Sequence, residues 1–250
     1  DPLPYWQAMD APGRVGMAEI RHIEGLYALW DELRQRHPGL TIDNCASGGR
    51  RIDLETTRRA YPLWRSDFSD VGGPENGPML QIGDQLQTAG LSRWVPLHSA
   101  AVWTFTPYAF WSAMSTGVVL YCDLRTEDFP SAQAAAAIAM LKRLRPYVLG
   151  DFYPLLPLTT QAHDWCAYQF DHPGLEAGFA LFLRRHASPY TTLQTALRGI
   201  DDAAEYDVSL AVDFTDPPRR RMRGSALRQL QISIDEMPGA VLLEYERVRG

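Results

Sequence analysis

The pattern of apolar residues changes near Asp151, and this change limits the possible folds more than any other feature of the sequence. Before Asp151, short apolar runs that end in polar clusters alternate with helix-forming segments. That order is typical of parallel βα units. After Asp151, short alternating segments such as YDVSLAVDF and LRQLQISIDE are separated by turn-forming residues, and no helix is evident. The sequence therefore predicts an α/β part over residues 1–150, followed by an antiparallel β-sandwich over residues 151–250.

Two segments of the α/β part carry clear helical patterns. Apolar residues from Met17 to Leu33 recur at helical spacing, and the pattern stops at His37-Pro38-Gly39. The second segment, residues 131–149, is rich in alanine and leucine. Short buried strands are predicted for LTI before Asp43, for VPLHSAAVW and for STGVVLYCDL. In parallel βα folds, functional groups collect on the loops after the strands' carboxyl ends, so the polar clusters at those places are the first candidates for a site.

Composition argues against several classes of function. The formal net charge of −6 is unlike that of a nucleic-acid-binding surface. No apolar run, GVVLYC included, is long enough to cross a bilayer, and nothing resembles a signal peptide, so we expect no membrane partner. Three widely spaced cysteines without a CxxC pair indicate no disulfide framework and favour a reducing, cytoplasmic location. The six scattered histidines lead us to expect neither a metal nor another cofactor.

Two pairs of carboxylates follow the predicted strands, namely Asp43 with Asp53 and Asp67 with Asp70. Glycosidases hold two carboxyl groups on either side of the bond they cleave. An aspartate at a strand end is also commonly a helix cap or a turn residue, and both interpretations stay open at this point. Nearby aromatic residues could stack on a sugar or belong to the core: Trp64, Phe68, Trp94 and Trp103. We expect His98, at another strand tip, to be structural.

Two motifs give these residues a more specific meaning. NCASGGRRID and YPLWRSDFSD together resemble the paired signature of the family 36 glycoside hydrolases, the alpha-galactosidases and their relatives. In that family a Cys-x-x-Gly-x-x-Arg element helps bind the galactosyl hydroxyls, and a Trp-x-Ser-Asp-x-x-Asp element carries the acid/base aspartate. The resemblance extends over nearly the whole chain, including ALWDELRQRHPGLTIDNC and LKRLRPYVLGDFYPLLP.

The resemblance implies a fold and a role for each matching residue. It implies a partial (β/α)8 TIM barrel, the C-terminal part of a catalytic domain, over residues 1–150, with the sandwich after it. It implies that Asp67 is the acid/base residue, with Asp70 as the alternative. The implied substrate-binding residues are Cys45, Ser47, Gly48, Gly49, Arg51 and Trp64. Two departures bear on the choice of sugar: Asp43 stands where the family commonly has Glu, and Arg50 replaces the third glycine of a run.

The resemblance also implies that the nucleophile lies outside this sequence. In the family it is an aspartate in a Lys-Trp-Asp type of motif, just before a segment like DPLPYW. No such motif occurs here, and Asp1 and Asp10 lack the preceding Lys-Trp. We therefore expect a fragment, inactive alone, of a retaining alpha-galactosidase-like enzyme that acts on galactosides or oligosaccharides and that can form a homo-oligomer when complete. Two alternatives stay open, a raffinose-synthase-like transglycosylase and a non-catalytic carbohydrate-binding protein.

Overall fold

The computed structural model describes residues 2–46, 48–71, 77–95 and 97–249, and of Asp70 and Val71 it describes the backbone. In the first part of the chain, the described residues form helices and two strands of two residues each, and shorter extended segments are joined by single bridges. The elements are α1 (Leu3–Met9), α2 (Met17–Arg36), α3 (Leu54–Thr57), α4 (Phe68–Val71), α5 (Gly77–Leu91), β1 (Ala101–Val102), α6 (Pro107–Ala113), β2 (Val119–Leu120), α7 (Ser131–Leu144) and a 3₁₀ helix (Arg145–Leu149).

Both predicted helical segments are confirmed, and local sequence explains their ends. The backbone N–H groups of Gly16 and Ala18 donate to the Asp10 carboxylate, at 2.6 and 2.8 Å, so this side chain caps the start of α2. The helix ends at His37, before a Pro-Gly pair that cannot continue it. α7 contains the alanine run, whose residue type has the highest helix propensity.

Four extended segments of the first part pair side by side in chain order, and every pairing is parallel. Single bridges join Asp43 to Tyr61 and Trp64 to Ser99, and β1 pairs with β2. Parallel neighbours joined through helices are what consecutive βα units produce. The carboxyl ends of these segments therefore lie along one edge, and the loops that follow Asp43 and Trp64 are adjacent.

The second part of the chain is dominated by an antiparallel sheet of six strands. In spatial order these are β3 (Asp151–Pro154), β4 (Trp165–His172), β5 (Ala177–Arg184), β10 (Gly239–Arg247), β7 (Glu205–Ala211) and β8 (Arg220–Arg223). A second, two-stranded sheet pairs β6 (Thr192–Thr195) with β9 (Leu230–Ser233). The short helix α8 (Gly224–Leu227) lies between β8 and β9, so the expectation of no helix after Leu149 is wrong. Four residues are too few for a periodic pattern to show in the sequence.

The six-stranded sheet buries both of its faces, and alternation along the strands supplies the two sets of side chains. One face, which includes Tyr168, Phe179 and Leu181, shares a hydrophobic core with α6 and α7. The other face, which includes Phe182 and Leu243, packs with β6 and β9 in a second core. All eight residues of β5 are buried as a result. The sheet therefore forms a sandwich with the small sheet and also supports the α/β part.

Candidate active site

The two motifs form loops that touch each other, and we call them the first motif loop (44–53) and the second motif loop (64–71). Gly48 has φ 54°, and a Cβ added there would lie 2.1 Å from the backbone nitrogen of Asp67. Gly49 has φ 89°, and its Cβ would lie 2.8 Å from the carbonyl oxygen of Arg65. Glycine alone tolerates both the left-handed backbone and this closeness. The two glycines therefore bring the first motif loop onto the backbone beside Asp67.

Asp67 is half-buried, and a neighbour within its own loop orients it. The indole Nε1–H of Trp64 donates to Asp67 Oδ1 at 2.8 Å. Oδ2 has no hydrogen-bond partner within the described part of the chain. A carboxyl group held through one oxygen and open at the other is suited to exchanging a proton with a bound molecule. The geometry thus gives Asp67 the arrangement that an acid/base residue needs.

Three aromatic side chains stand in a row beside Asp67, and we call them the aromatic wall (Trp64, Trp103 and Tyr121). The Trp64 and Tyr121 rings stack with centroids 5.9 Å apart, and Trp103 meets Tyr121 edge-on at 4.6 Å. Each residue lies at the carboxyl end of one of the parallel segments. Aromatic faces of this kind can pack against the apolar face of a sugar ring. Sequence reasoning missed Tyr121, whose signal is its position directly after β2.

The other two aromatic candidates serve elsewhere. The Phe68 ring packs against Gly83 of α5, where an added Cβ would lie 2.0 Å from the ring. Trp94 lines a separate cleft with Leu54 and Tyr61. Neither ring is part of the aromatic wall.

The remaining substrate-binding candidates lie on the first motif loop. Cys45 is an exposed free thiol. The carbonyl oxygen of Arg51 accepts hydrogen bonds from Asn44 Nδ2 at 2.8 Å and from Thr56 Oγ1 at 2.5 Å. Arg51 is half-buried as a residue, and its guanidinium makes no hydrogen bond or ion pair to another described residue. The loop thus holds the Arg51 backbone and leaves its five N–H donors for a ligand. Ser47 lies outside the described residues.

The other carboxylate candidates differ from Asp67 in their surroundings. Asp53 Oδ1 accepts from the backbone nitrogens of Glu55 and Thr56, at 2.8 and 2.9 Å, and so caps α3 in a capping box. Asp43 is exposed and accepts a 3.3 Å hydrogen bond from the Leu63 nitrogen. The Asp70 side chain lies outside the described part, so the preference for Asp67 over Asp70 stays a prediction.

A buried polar cluster lies beneath the second motif loop, and sequence reasoning missed most of it. Arg65 Nη2 donates to Asp84 Oδ1 at 3.2 Å and to the Asp84 carbonyl oxygen at 3.0 Å. Arg65 Nη1 donates to Thr88 Oγ1 at 2.6 Å and contacts His98 Nδ1 at 3.3 Å. One signal was available, since Asp84 and Thr88 follow Leu80 at four-residue spacing on the buried side of α5.

Burial sets the protonation preferences in this cluster. Desolvation lowers the pKa of Arg65 and raises the pKa of Asp84, while their mutual attraction opposes both shifts. Desolvation, with a smaller effect from the Arg65 charge, lowers the pKa of His98 to about 3. His98 is therefore neutral at pH 7, accepts from Arg65 through Nδ1 and faces Ser92 Oγ through Nε2 at 3.3 Å. The expectation that His98 is structural is confirmed.

A second buried contact joins the six-stranded sheet to α5. Arg185, directly after β5, donates through Nε to Gln85 Oε1 at 2.8 Å. Its Nη1 donates to the carbonyl oxygens of Thr159 and Gln161, both at 2.8 Å. Gln85 in turn donates to Ser112 Oγ at 3.0 Å. α5 is thus fixed on one side by the sheet while its Asp84 faces the second motif loop.

The described residues contain neither a metal-binding cluster nor a membrane-spanning helix. Among residues 2–46, 48–71, 77–95 and 97–249, no three His, Cys, Asp or Glu side chains stand close enough to hold a metal ion. Within the same part of the chain, no helix is long and apolar enough to cross a membrane.

Known proteins match both the motifs and the fold. Residues 8–73, which include the two motif loops, match the Melibiase family model. The chain is 24% identical over 243 residues to a probable alpha-galactosidase C from Aspergillus terreus, which covers 91% of this chain and 30% of that protein. It is 30% identical over 239 residues to alpha-galactosidase C from Emericella nidulans, covering 89% of this chain and 29% of that protein.

A solved structure matches the fold. The family 36 alpha-galactosidase AgaA from Geobacillus stearothermophilus, solved in complex with raffinose, has a TM-score of 0.70 at 18% identity, over 94% of this chain and 32% of its own. The shared fold confirms the predicted combination of an α/β part and an antiparallel β-sandwich, while the assignment of residues 1–150 to a partial TIM barrel stays a prediction. The chain spans 29 to 32% of the length of these three proteins.

Proposed function

The chain is a family 36 alpha-galactosidase-like sequence, and from that premise we propose that it serves a retaining hydrolase that removes terminal alpha-galactosyl groups. Asp67 is the acid/base residue of this proposal. The observation that carries it is the meeting of the two motif loops, where Gly48 lies against the Asp67 backbone and Trp64 holds the Asp67 carboxyl. A sugar that binds on the first motif loop would therefore lie beside a proton donor.

The proposed reaction has two steps. In the first step, Asp67 gives its proton to the glycosidic oxygen while a second carboxylate attacks the anomeric carbon and forms a covalent glycosyl intermediate. In the second step, Asp67 removes a proton from water, which attacks the same carbon and releases the sugar with its configuration retained. The Trp64 N–H bond at Oδ1 leaves Oδ2 to carry the proton in both steps. The two carboxyl groups of a retaining pair stand about 5–5.5 Å apart.

The second carboxylate comes, in this proposal, from a part of the protein outside these 250 residues. No Lys-Trp-Asp motif occurs in the chain, and Asp10, which precedes the first motif, is engaged as the cap of α2. The chain by itself would then hold the proton donor and part of the sugar site without the nucleophile. We expect the 250-residue chain alone to be inactive.

The substrate class follows from the first motif loop and the aromatic wall. Arg51 presents a planar set of donors that can bind two sugar hydroxyls together, and the Gly48-Gly49 backbone lets a ring approach closely. The motif resemblance adds Cys45 and Ser47 to the proposed galactosyl site. Trp103 and Tyr121 offer ring faces to the next sugar. We therefore propose alpha-galactosyl oligosaccharides, of which raffinose is an example, as substrates.

The first prediction concerns Asp67→Asn in the complete protein to which the chain belongs. General acid–base catalysis contributes about 10²- to 10⁴-fold, so kcat/KM for raffinose should fall within that range. A dinitrophenyl alpha-galactoside has a leaving group that departs without a proton, so its kcat/KM should change far less. Its kcat should still fall, because the second step has lost its base. Steady-state kinetics with the two substrates measure this difference.

Asp70→Asn is the matched variant, since it makes the same change three residues away. If Asp70→Asn lowered kcat/KM for raffinose far more than kcat/KM for the dinitrophenyl substrate, and Asp67→Asn did not, Asp70 would be the acid/base residue. If neither variant showed this difference between the two substrates, the hydrolase proposal for this site would be wrong. Product analysis at high acceptor-sugar concentration separates hydrolysis from transglycosylation, because a transglycosylase would convert most donor to longer oligosaccharides.

A further inference from the structure

A buried ion pair under the candidate acid/base loop has no role in the chemistry proposed above. Arg65 and Asp84 are each 2% exposed. Taking two charges out of water is unfavourable, and apolar residues of similar size commonly give equal or greater stability at such a place. A pair kept at this position therefore calls for an explanation other than stability.

The hydrogen bonds of Asp84 supply that explanation. Its Oδ1 atom accepts from Arg65 Nη2 at 3.2 Å and from Ser69 Oγ at 2.9 Å. Arg65 lies two residues before Asp67, and Ser69 lies two residues after it. A single oxygen atom of Asp84 therefore holds the chain on both sides of Asp67. Ser69 is fully buried and Arg65 is nearly so. Both hydrogen bonds to Asp84 are therefore shielded from water. We refer to this arrangement as the Asp84 bridge (Arg65, Ser69 and Asp84).

Further contacts hold the bridge itself in place. Thr88, one turn along α5 from Asp84, accepts from Arg65 Nη1 at 2.6 Å. The Nε1–H of Trp103, in the aromatic wall, donates to the Ser69 carbonyl oxygen at 2.9 Å. The bridge thus connects the aromatic wall, the loop that carries Asp67 and a helix that the sheet anchors through Arg185.

We propose that the Asp84 bridge positions Asp67, fixing the backbone on both sides of it so that the carboxyl group meets the glycosidic oxygen. This inference rests on the proposed function, in which Asp67 is the acid/base residue. Arg65, Ser69 and Asp84 are positioning residues and touch no substrate. A shift of about 1 Å at a reacting group can lower a rate about 10²-fold, so loss of one tie should show in catalysis.

The test uses two mild substitutions in the complete protein, Ser69→Ala and Thr88→Val. Each removes one hydroxyl of the network and keeps both charges, which avoids leaving a buried charge unpaired. Ser112→Ala is the control, because the Ser112 hydroxyl is also fully buried next to α5 but bonds Gln85 and Tyr108, and the substitution keeps the Ser112 carbonyl oxygen that accepts from Thr88. Thermal melting of each variant shows whether the protein still folds.

The readout is the ratio of kcat/KM for raffinose to kcat/KM for a dinitrophenyl alpha-galactoside. Misplacing a proton donor affects only the substrate that needs the proton, so we expect Ser69→Ala to lower this ratio about tenfold and Thr88→Val to lower it in the same direction. Ser112→Ala should leave the ratio unchanged. Loosening of the fold in general would lower both kcat/KM values equally and keep the ratio constant.

An unchanged ratio in both Ser69→Ala and Thr88→Val overturns the positioning role, provided that Asp67→Asn changes it. An unchanged ratio in Asp67→Asn itself contradicts the proposed function instead, so the two failures are distinct. Asp84→Asn serves as a second check where it folds. It keeps an oxygen that accepts from Ser69 but loses the charge that holds Arg65, and the ratio should fall further than in Ser69→Ala.

Discussion

At the scale of single residues, chemical type alone does not separate a catalytic group from a structural one. Asp53 and Asp67 are both aspartates on neighbouring loops, yet Asp53 satisfies the first backbone N–H groups of α3 while Asp67 keeps an oxygen open. The difference comes from what stands within hydrogen-bond distance of each side chain. Glycines contribute in the same local way, since Gly48 matters for the Asp67 backbone that lies against it.

Gly48→Ala is expected to damage the site more than the same change at a matched glycine. An alanine at left-handed φ costs about 1–2 kcal/mol, and the Cβ would also displace the Ser66–Asp67 peptide. Gly13 has φ 74° with nothing within 4 Å of its Cβ position, so Gly13→Ala should show the backbone cost alone. Urea unfolding and raffinose kinetics measure both effects. Equal losses in the two variants would show that the loop contact is unimportant.

At the scale of elements, α5 is the part that organises the site. One side of it receives Arg185 from the sheet, and another presents Asp84 and Thr88 to the second motif loop. His98, on the neighbouring parallel segment, packs against the same cluster as a neutral side chain. A helix with buried partners on two sides is rigid, which suits it to hold a catalytic loop.

The buried His98 predicts a pH dependence of stability. Its folded pKa of about 3 lies below the value of about 6.5 for an exposed histidine. Between these two pH values His98 is protonated in the unfolded chain and neutral in the folded chain. Its contribution to the free energy of unfolding is therefore complete above pH 6.5 and declines as the pH falls towards 3. His98→Gln should flatten the curve of unfolding free energy against pH, measured by urea titration from pH 8 to 4. An unaltered slope in His98→Gln would contradict the prediction.

At the scale of the whole molecule, the six-stranded sheet contributes to both hydrophobic cores. One of its faces completes the core of α6 and α7, and the other completes the sandwich with β6 and β9. Removing the α/β part would leave large apolar side chains such as Tyr168, Phe170 and Phe179 facing water. Burial of such rings is among the largest favourable contributions to a fold.

Residues 151–250 produced alone should therefore not behave as an independent carbohydrate-binding module. We expect this piece to bind a hydrophobic dye strongly and to self-associate, because its uncovered sheet face is apolar. The 250-residue chain, compared with this piece at equal concentration, should bind less dye per molecule. Fluorescence titration and light scattering measure both properties. A monomeric, dye-free piece that binds galactosides in calorimetry would favour the binding-module alternative.

The sequence by itself determined the elements and the pairing of motifs. Helical spacing from Met17 to Leu33 predicted α2, alternation after Asp151 predicted the antiparallel strands, and the resemblance of two short motifs indicated which loops carry the candidate site. These properties depend on neighbours along the chain, and so a one-dimensional pattern contains them. α8 escaped because four residues are too few to establish a period.

Only the tertiary structure decided which groups meet. Asp84 lies 17 residues after Asp67, and Tyr121 is farther away, yet both contact the second motif loop, while Arg185 bonds the helix that carries Asp84. Residue spacing along the sequence does not predict those contacts. They form only when the parallel segments align their ends and the sheet packs against α5. The helix-cap role of Asp53 is local by contrast, because its donors are the backbone N–H groups of Glu55 and Thr56, two and three residues along the chain.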